Sequence, residues 1–247
     1  MRIVITPAGS RGDFQPLLAL AVGLRDAGHD VLLVCAPNYE SEATAFGVPV
    51  RTVGVDVEAY LRDHGGEAAR LRGTYQLFKI ARQRAPALID EGLSVCRGAD
   101  VIFGGGTQSA APTIADALGV PYLYIAYTPQ AIRTDEHPPF TMPFGRTRSV
   151  NRGLWRASSS LFGATLGGPI NRKRRELGLE PVMDWYQHLF PTRRMLIAAD
   201  PELAPMPKNV SLPFAALGSL HLRDERPLST VVEQFLSAGP APVYIGF

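Results

Sequence analysis

The turn Thr6–Asp13, TPAGSRGD, carries the clearest chemical signal in the sequence. It joins the apolar run Ile3–Thr6 to a helical pattern, so it connects a first strand to a first helix. Backbone N–H groups at a helix N-terminus can hold a phosphate or another anion. The Asp13 carboxylate can accept a proton from a hydroxyl nucleophile in a partly desolvated crevice. The turn therefore predicts an anion-binding position beside a candidate general base.

Two common phosphate-binding motifs do not fit this turn. A dinucleotide fingerprint needs G-x-G-x-x-G, but only Gly9 and Gly12 are present. It also needs an acidic residue after the second strand, where Ala36-Pro37-Asn38 stands instead. A P-loop needs G-K-[ST] entering the helix, whereas the sequence has Gly12-Asp13-Phe14. NAD-dependent and ATPase functions therefore lose most of their support, and an oxidoreductase is a distant third interpretation.

Asp13 also has an interpretation without chemistry. Aspartate is favoured at the N-cap of a helix, and Pro16 fits the first helical turn. On the other side, the carboxyl end of a parallel strand faces the crevice where α/β folds bind ligands. Sequence alone leaves both the capping role and the general-base role open.

Short apolar runs alternate with helical patterns along the chain. Mostly apolar strands separated by helices indicate a parallel sheet covered on both faces, which makes the predicted fold class α/β and Rossmann-like. The predicted strands are Ile3–Thr6, Val31–Cys35, Val50–Val53, Val101–Gly104, Val120–Tyr127, Met195–Ala198 and Phe214–Leu217. The predicted helices are Leu17–Leu24 ending at Gly28, Glu40–Phe46, two or three over 57–97 with joints at Gly65-Gly66 and a break at Pro86, Gln108–Leu118, and 150–177 with Gly167-Gly168-Pro169 as a potential break.

The composition of the chain changes after Leu217. Residues 1–218 are predicted to form the Rossmann-like domain, and the polar residues 219–242 a linker with one amphipathic helix around Val231–Leu236. Residues 243–247 resemble a buried strand. We expect them to be the first strand of a second domain that is missing from this chain.

Composition and charge exclude several classes of protein. A net charge of +2 gives no global reason to expect a nucleic-acid partner. Cys35 and Cys96 are predicted to be buried, reduced thiols. Met1-Arg2 leads directly into the first strand, so no signal peptide is expected, and no apolar run reaches the roughly 18–20 residues of a membrane span. We therefore expect a cytoplasmic protein.

Several segments together resemble one known family. Gly9–Pro16, GSRGDFQP, resembles the G-[ST]-R-G-D-x-x-P signature of the antibiotic (vancomycin-type) and sterol glycosyltransferases, which have the GT-B fold. Leu24–Ala36 is similar to the same opening. Tyr127–Gln130 followed by His137-Pro138-Pro139 resembles the acceptor-side loop of bacterial natural-product members. Further similar segments, Pro169–Leu179 and Ala199-Asp200-Pro201, extend the resemblance over nearly the whole chain.

This resemblance implies a specific division of labour. An N-terminal domain would bind the acceptor, a natural-product aglycone or a sterol, and a C-terminal domain would bind the nucleotide-sugar donor. This chain would then be the acceptor-binding half, unable to transfer sugar alone. Asp13 would be the general base of an inverting displacement, with Ser10, Arg11 and Gly12 beside the donor phosphates. The alternative is a non-catalytic ligand-binding or auxiliary module of the same fold.

Candidate acceptor-binding residues collect in the middle helices and around the loop 128–145. Ligand pockets are largely apolar with a few placed polar groups, which suits a hydrophobic aglycone. For each aromatic residue, packing in the core is the competing interpretation. The candidates are Tyr75, Phe78, Gln108, Tyr127, Gln130, His137, Phe140 and Phe144.

No metal or other cofactor is expected. The sequence lacks the Asp-x-Asp pair of metal-dependent transferases, and Asp56-Val57-Glu58 is interpreted as a solvated helix start. The other histidines show no ligand spacing; they are His29, His64, His188 and His221.

The segment between Arg133 and Arg175 is locally basic, with nine Lys or Arg against Asp135 and Glu136. Such an excess is typical of a surface attracted to anionic lipid or of a solvated helical face. The nearly neutral chain favours the solvated face over peripheral membrane contact.

Overall fold

The computed structural model describes residues 1–56, 59, 71–145, 147–210, 216–223 and 227–244, with the side chains of the helix Leu71–Val95 described from residue 82 onward. The strands within these residues are β1 (Arg2–Ala8), β2 (Asp30–Cys35), β3 (Val50–Thr52), β4 (Val101–Gly106), β5 (Tyr122–Ala126) and β6 (Met195–Ile197). The helices are α1 (Arg11–Asp26), α2 (Glu40–Ala45), α3 (Leu71–Val95), α4 (Ala111–Leu118), α5 (Arg148–Glu176), α6 (Trp185–Leu189) and α7 (Thr230–Ser237).

The strands form one parallel sheet in the order β3-β2-β1-β4-β5-β6. Strands β2 and β3 lie on one side of β1, and the chain then crosses over to add β4, β5 and β6 on the other side. Strands β1 and β4 pair with Ala8 opposite Gly106. In open α/β sheets, ligands bind beyond the carboxyl ends of the strands at such a switch point. The predicted α/β, Rossmann-like class is confirmed, and its topology directs the search for a site to the ends of β1 and β4.

Helices cover both faces of this sheet. On one face, α1 buries Phe14, Leu17, Leu18 and Ala21, whose spacing of three and four residues forms one helical stripe. On the other face, residues of α3, α4, α5 and α6 pack together in a second core. Because both faces are covered, β1 buries successive residues rather than alternate ones, as the apolar runs predict.

The break predicted at Pro86 is wrong, and the potential break at Gly167-Gly168-Pro169 does not occur. Helix α3 continues through Pro86, and α5 continues through Pro169. An internal proline removes one helical hydrogen bond and costs about 3 kcal/mol. Next to the two prolines, Ala85, Ile89 and Ile170 are completely buried in the core. Packing of these flanking residues therefore outweighs the local preference of proline.

Three observations concern the segment around the predicted domain limits. Leu217 donates a backbone hydrogen bond to Ile197 (2.8 Å) but is not in a strand, while the remainder of Phe214–Leu217 lies largely outside the described residues. Leu220 and Leu222 pack against the core on the α1 face, beyond the predicted limit at 218. The predicted helix around Val231–Leu236 is present as α7.

Other predicted features fall partly or wholly outside the described residues. In the predicted strand 243–247, residues 243 and 244 are exposed and form no strand, and 245–247 are not described. The joint at Gly65-Gly66 is not described either.

Two further findings concern the cysteines and the hydrophobicity of the helices. Cys35 and Cys96 are buried and unpaired as predicted, and burial is the main reason that their thiol pKa values rise to about 12 and about 11. No helix in the described part of the chain is both long and apolar enough to cross a bilayer.

The basic segment is divided between the protein interior and its surface. Arg174 is only 7% exposed, and its guanidinium donates to Asp116 Oδ2 at 2.7 Å. The Arg174 guanidinium also lies 3.4 Å from the Thr113 hydroxyl, which is 3.2 Å from His188 Nε2. Burial, followed by the positive charge of Arg174, lowers the pKa of His188 from 6.5 to about 4, against the opposite effect of Asp116. The network therefore ties α4, α5 and α6 together around a neutral histidine.

We predict that His188 makes the folded state less stable in acid. Between pH 6.5 and pH 4 the unfolded chain binds a proton that the folded chain excludes, so stability falls as the pH falls through this window. The contribution is about 1.4 kcal/mol per pH unit. Urea unfolding from pH 7 to pH 4 should show a shallower loss of stability in His188→Gln. The exposed His221→Gln is the control, and parallel slopes for His188→Gln and the wild-type chain would contradict the prediction.

Candidate functional site

Asp13 lies in the first turn of α1, at the switch point of the sheet. Ser10 is the N-cap of α1, so the interpretation of Asp13 as the N-cap is wrong by three positions. The Asp13 carboxylate nevertheless contributes to helix initiation. Its Oδ2 accepts a hydrogen bond from the Ser10 backbone N–H at 2.8 Å and one from the Ser10 hydroxyl at 3.0 Å. An acidic residue that reaches back to the N-cap in this way stabilises the start of a helix.

Glycines at the carboxyl ends of two strands leave the space that the Asp13 side chain occupies. A Cβ on Gly9 would collide with Asp13 Oδ2, and a Cβ on Gly106 would lie 2.9 Å from both Cβ and Cγ of Asp13. Gly106 also adopts a positive φ of 68°, which favours glycine. Asp13 is therefore enclosed between the ends of β1 and β4. The run Gly104-Gly105-Gly106 is the sequence signal for this close approach, and it is not among the residues predicted above.

Two tyrosines of the neighbouring β5 region hold this enclosure. The Tyr127 hydroxyl donates to the Asp13 carbonyl at 2.8 Å, and the Tyr124 hydroxyl donates to the Gly106 carbonyl at 2.8 Å. Burial, with the nearby charge of Asp13 as a second cause, raises the pKa of both tyrosines above the ordinary value of 10.0. Both hydroxyls are therefore protonated donors at neutral pH. Tyr127, predicted to bind the acceptor, directly supports the backbone of the candidate base.

The three candidate phosphate-binding residues lie together on the surface at the N-terminus of α1. Ser10, Arg11 and Gly12 are all exposed. The first N–H groups of a helix have no partner within it, so Arg11 and Gly12 present donors outward. The Arg11 guanidinium adds a positive charge and contacts Glu42 at a long 3.5 Å. A cleft of about 280 Å³ opens here, lined by Gly12, Gln15, Pro16, Leu220, His221 and Leu222.

An aromatic cluster connects this region to the loop 128–145. Tyr124 meets Phe190 edge to face with ring centres 5.0 Å apart, and Phe190 meets Phe140 in the same manner at 5.7 Å. Phe140, at the end of this cluster, is 43% exposed and therefore presents an apolar surface to solvent. Phe190 is not among the residues predicted from the sequence, because it follows α6 and lies some 45 residues after the loop.

His137 belongs to the same loop and packs against α5. Its backbone carbonyl accepts a hydrogen bond from Trp155 Nε1 at 3.0 Å, and its Nδ1 lies 2.9 Å from the Pro138 carbonyl. Its Nε2 is buried with no hydrogen-bond partner in the described structure. His137 therefore contributes to the packing of the loop and keeps one unused ring nitrogen.

The remaining candidates are not brought together with Asp13 in one pocket. Gln108 donates to the Thr6 carbonyl at 3.3 Å and accepts from the backbone of Ala110 and Ala111, so its amide caps α4. Gln130 is exposed on a 3-10 turn, and Phe144 is 68% exposed. The side chains of Tyr75 and Phe78 lie outside the described residues.

The loop is also fastened to the segment that follows β6. The Glu136 carboxylate accepts hydrogen bonds from the backbone N–H groups of Lys208 (3.0 Å) and Asn209 (2.8 Å). No group of three or more His, Cys, Asp or Glu side chains suited to a metal ion is found among the residues that the structure describes. The candidate site thus consists of Asp13, the exposed start of α1 and the aromatic surface ending at Phe140.

The known proteins to which this chain is similar are glycosyltransferases. The glycosyltransferase family 28 N-terminal domain matches residues 3–134. The dTDP-epi-vancosaminyltransferase of Amycolatopsis orientalis is 34% identical over 254 residues, covering 100% of this chain and 58% of that protein. A sterol 3-beta-glucosyltransferase of Cryptococcus neoformans var. neoformans serotype D is 29% identical over 190 residues, covering 73% of this chain and 12% of that protein. The chain spans about 60% of the length of the curated relatives that it matches throughout.

Solved structures share the fold at low identity. The glycotransferase of kitacinnamycin has a TM-score of 0.63 at 16% identity, covering 91% of this chain and 52% of that one. The glycosyltransferase VinC in complex with DTDP has a TM-score of 0.54 at 18% identity, covering 88% of this chain and 52% of that one.

These comparisons confirm the resemblance to antibiotic and sterol glycosyltransferases of the GT-B fold that was predicted from Gly9–Pro16. Because the matching domain spans more than half of its residues, the chain belongs to glycosyltransferase family 28 and contains the family's N-terminal domain.

Proposed function

We propose that this chain is the acceptor-binding part of an inverting glycosyltransferase that uses a nucleoside-diphosphate sugar. One observation carries the proposal: the Asp13 carboxylate lies at the switch point of the sheet, beside the exposed N-terminus of α1. A base and an anion-binding helix end stand side by side there. The base takes the proton of the acceptor hydroxyl, and the helix end binds the departing diphosphate.

In the proposed mechanism, Asp13 takes the proton of an acceptor hydroxyl as its oxygen attacks the anomeric carbon. The bond from that carbon to the diphosphate breaks on the opposite face, so the configuration inverts. The backbone N–H groups of Arg11 and Gly12 and the Arg11 guanidinium face the negative charge that develops on the leaving diphosphate. No metal or other cofactor takes part in these steps.

The donor sugar is proposed to be bound largely by a second domain. In that arrangement residues 1–218 are the acceptor domain, 219–242 the linker and 243–247 the beginning of the donor domain. The contact of Leu220 and Leu222 with the core fixes the start of the linker to the acceptor domain. The relative named for a dTDP sugar and the VinC structure with DTDP support a thymidine-diphosphate donor.

The acceptor is proposed to bind the aromatic surface that ends at Phe140. Phe140 packs against Phe190, and Phe190 packs against Tyr124. The Tyr124 hydroxyl donates to the carbonyl of Gly106, which lies next to Asp13. An apolar aglycone, a natural product or a sterol, covers such a surface favourably, at roughly 25 cal/mol per Å² of apolar area buried.

The first prediction from this proposal concerns Asp13→Asn in the complete transferase of which we propose this chain is a part. The amide still accepts from Ser10 but takes no proton, so kcat should fall by roughly 10²–10⁴ while the melting temperature changes little. Asp26→Asn, at the other end of α1, is the matched control. Near-normal turnover in Asp13→Asn would contradict the general-base role, and equal loss of fold and activity would favour a role in helix capping alone.

The second prediction concerns Gly12→Ala. An added Cβ would meet only the Ser10 hydroxyl, at 3.7 Å, so the fold tolerates it. The methyl group would, however, stand between the helix N-terminus and the donor phosphates. The donor KM should rise about tenfold with little change in acceptor KM, a loss of about 1.4 kcal/mol in donor binding. Gly23→Ala in the same helix, with nothing within 4 Å of the added Cβ, should behave as wild type. An unchanged donor KM in Gly12→Ala would contradict the phosphate assignment.

The third prediction concerns Phe140→Ala. Loss of an exposed aromatic contact should weaken binding of an apolar aglycone about tenfold in calorimetry on the 247-residue chain, since burying such a side chain contributes about 1.5–3 kcal/mol. Phe235→Ala, in the exposed helix α7, serves as the control. Equal aglycone affinity for Phe140→Ala and the wild-type chain would place the acceptor elsewhere.

A further inference from the structure

We propose that Glu136 is a positioning residue for the acceptor surface, the aromatic surface that ends at Phe140. Its carboxylate holds one side of the loop 128–145, and helix α5 holds the other side, so that the surface is formed before the acceptor binds. The inference rests on the proposed function, because it concerns the surface proposed there for the acceptor. It adds a residue that lies outside this surface and sets how tightly the surface binds.

Helix α5 holds the loop with one stripe of polar groups. Asn151, Trp155 and Ser158 follow one another at intervals of four and three residues, so they lie on the same face of the helix. All three residues are buried, with at most 3% of each exposed. A buried polar group is stable only with a hydrogen-bond partner. The stripe therefore needs partners in whatever packs against this face of α5.

The loop supplies these partners at three points. Asn151 Nδ2 donates to the Asp135 carbonyl at 2.9 Å, and Trp155 Nε1 donates to the His137 carbonyl at 3.0 Å. Further along the loop, the Thr141 hydroxyl lies 2.8 Å from the hydroxyl of the serine in the stripe. Separation of the loop from α5 would leave buried polar groups without partners, which is costly. The stripe thus keeps the loop against the helix.

Glu136 holds the loop from the other side. Its two carboxylate oxygens accept hydrogen bonds from two successive backbone N–H groups, those of Lys208 at 3.0 Å and Asn209 at 2.8 Å. Hydrogen bonds to a charged acceptor are among the stronger ones in proteins. Glu136 stands between Asp135 and His137, whose carbonyls bond to the α5 stripe. The loop is therefore bridged here between α5 and the segment that follows β6.

A short and stiff connection joins this bridge to Phe140. Only Pro138 and Pro139 separate the bridged residues from Phe140, and the φ angle of each proline is nearly fixed. On the far side of Phe140, Thr141 is held to α5. The Phe140 ring also packs edge to face against Phe190, with ring centres 5.7 Å apart. Phe140 thus keeps its position although it is partly exposed.

An acceptor surface that is ordered before binding has an energetic advantage. The conformational freedom of the loop is then lost during folding and not during binding, which raises affinity. Without the Glu136 carboxylate, the loop would stay attached to α5 but would lose its support from the segment after β6. Phe140 would then sample more orientations, which an acceptor would have to restrict. Glu136 therefore contributes to acceptor affinity without touching the acceptor.

The test measures binding of naphthol, an apolar aromatic alcohol, to the complete transferase by fluorescence titration. Glu136→Ala should weaken binding about tenfold, because the loop must be ordered on binding. It should also accelerate hydrogen exchange in the peptide that contains Lys208 and Asn209. Glu136→Gln keeps one oxygen at the same reach, so its affinity should lie between those of Glu136→Ala and wild type. Glu202→Ala is the matched control, since it removes from the same segment an exposed carboxylate that accepts no hydrogen bond in the described structure.

A double-mutant cycle tests whether Glu136 acts through Phe140. Residues that act through one another are not additive, so Glu136→Ala should change naphthol affinity by less than about twofold in the Phe140→Ala background. An equal loss in both backgrounds would overturn the proposal. Wild-type affinity in Glu136→Ala, or unchanged hydrogen exchange at Lys208 and Asn209, would overturn it as well.

Phe140→Ala alone separates this inference from the proposed function. If the wild-type transferase does not bind naphthol, or Phe140→Ala binds it as tightly as wild type, the acceptor surface is wrong and this inference fails with it. If Phe140→Ala weakens binding and Glu136→Ala does not, only the role of Glu136 is wrong. Melting temperatures check the fold of each variant. If Glu136→Ala does not fold, Glu136→Gln replaces it, and wild-type affinity in a well-folded Glu136→Gln then overturns the proposal.

Discussion

The close approach of Asp13 to the ends of β1 and β4 is the constraint on which the rest of the site depends. It is possible because Gly9 and Gly106 have no side chains, and Gly106 adopts a backbone conformation that favours glycine. A carboxylate in this position needs hydrogen bonds, and Ser10 supplies two of them to one oxygen. The same contacts begin α1, so the start of the helix and the placement of the candidate base depend on the same hydrogen bonds. A structural role and a chemical role for Asp13 are therefore compatible.

The sheet connects this arrangement to the aromatic surface at Phe140. Tyr127 holds the backbone of Asp13 and Tyr124 holds Gly106, so β5 braces both sides of the switch point. Tyr124 also begins the aromatic contacts that lead through Phe190 to Phe140. The candidate base, the exposed start of α1 and the apolar surface are thereby attached to three adjacent parallel strands. Behind them, the buried pair Arg174–Asp116 connects two of the helices that cover the sheet.

Much of this fold follows from local patterns in the sequence. Apolar runs separated by helical patterns are sufficient to predict a parallel sheet, and the Gly9–Pro16 turn identifies both the family and Asp13. The continuity of α3 and α5 through Pro86 and Pro169 depends on tertiary packing, which no local rule contains. The roles of Gln108 and Tyr127 are equally non-local, because their partners at Thr6 and Asp13 are about 100 residues away in the sequence. The N-cap was misplaced because Ser10 and Asp13 are both favourable capping residues, and only the geometry separates the N-cap from the third helical position.

The most direct test of this account is a crystal structure of the 247-residue chain with a bound acceptor aglycone. The account predicts that the reactive hydroxyl oxygen lies about 2.6–3.2 Å from a carboxylate oxygen of Asp13, with the apolar part of the aglycone against Phe140. An aglycone bound elsewhere, or one whose hydroxyl approaches neither oxygen of Asp13, would contradict it.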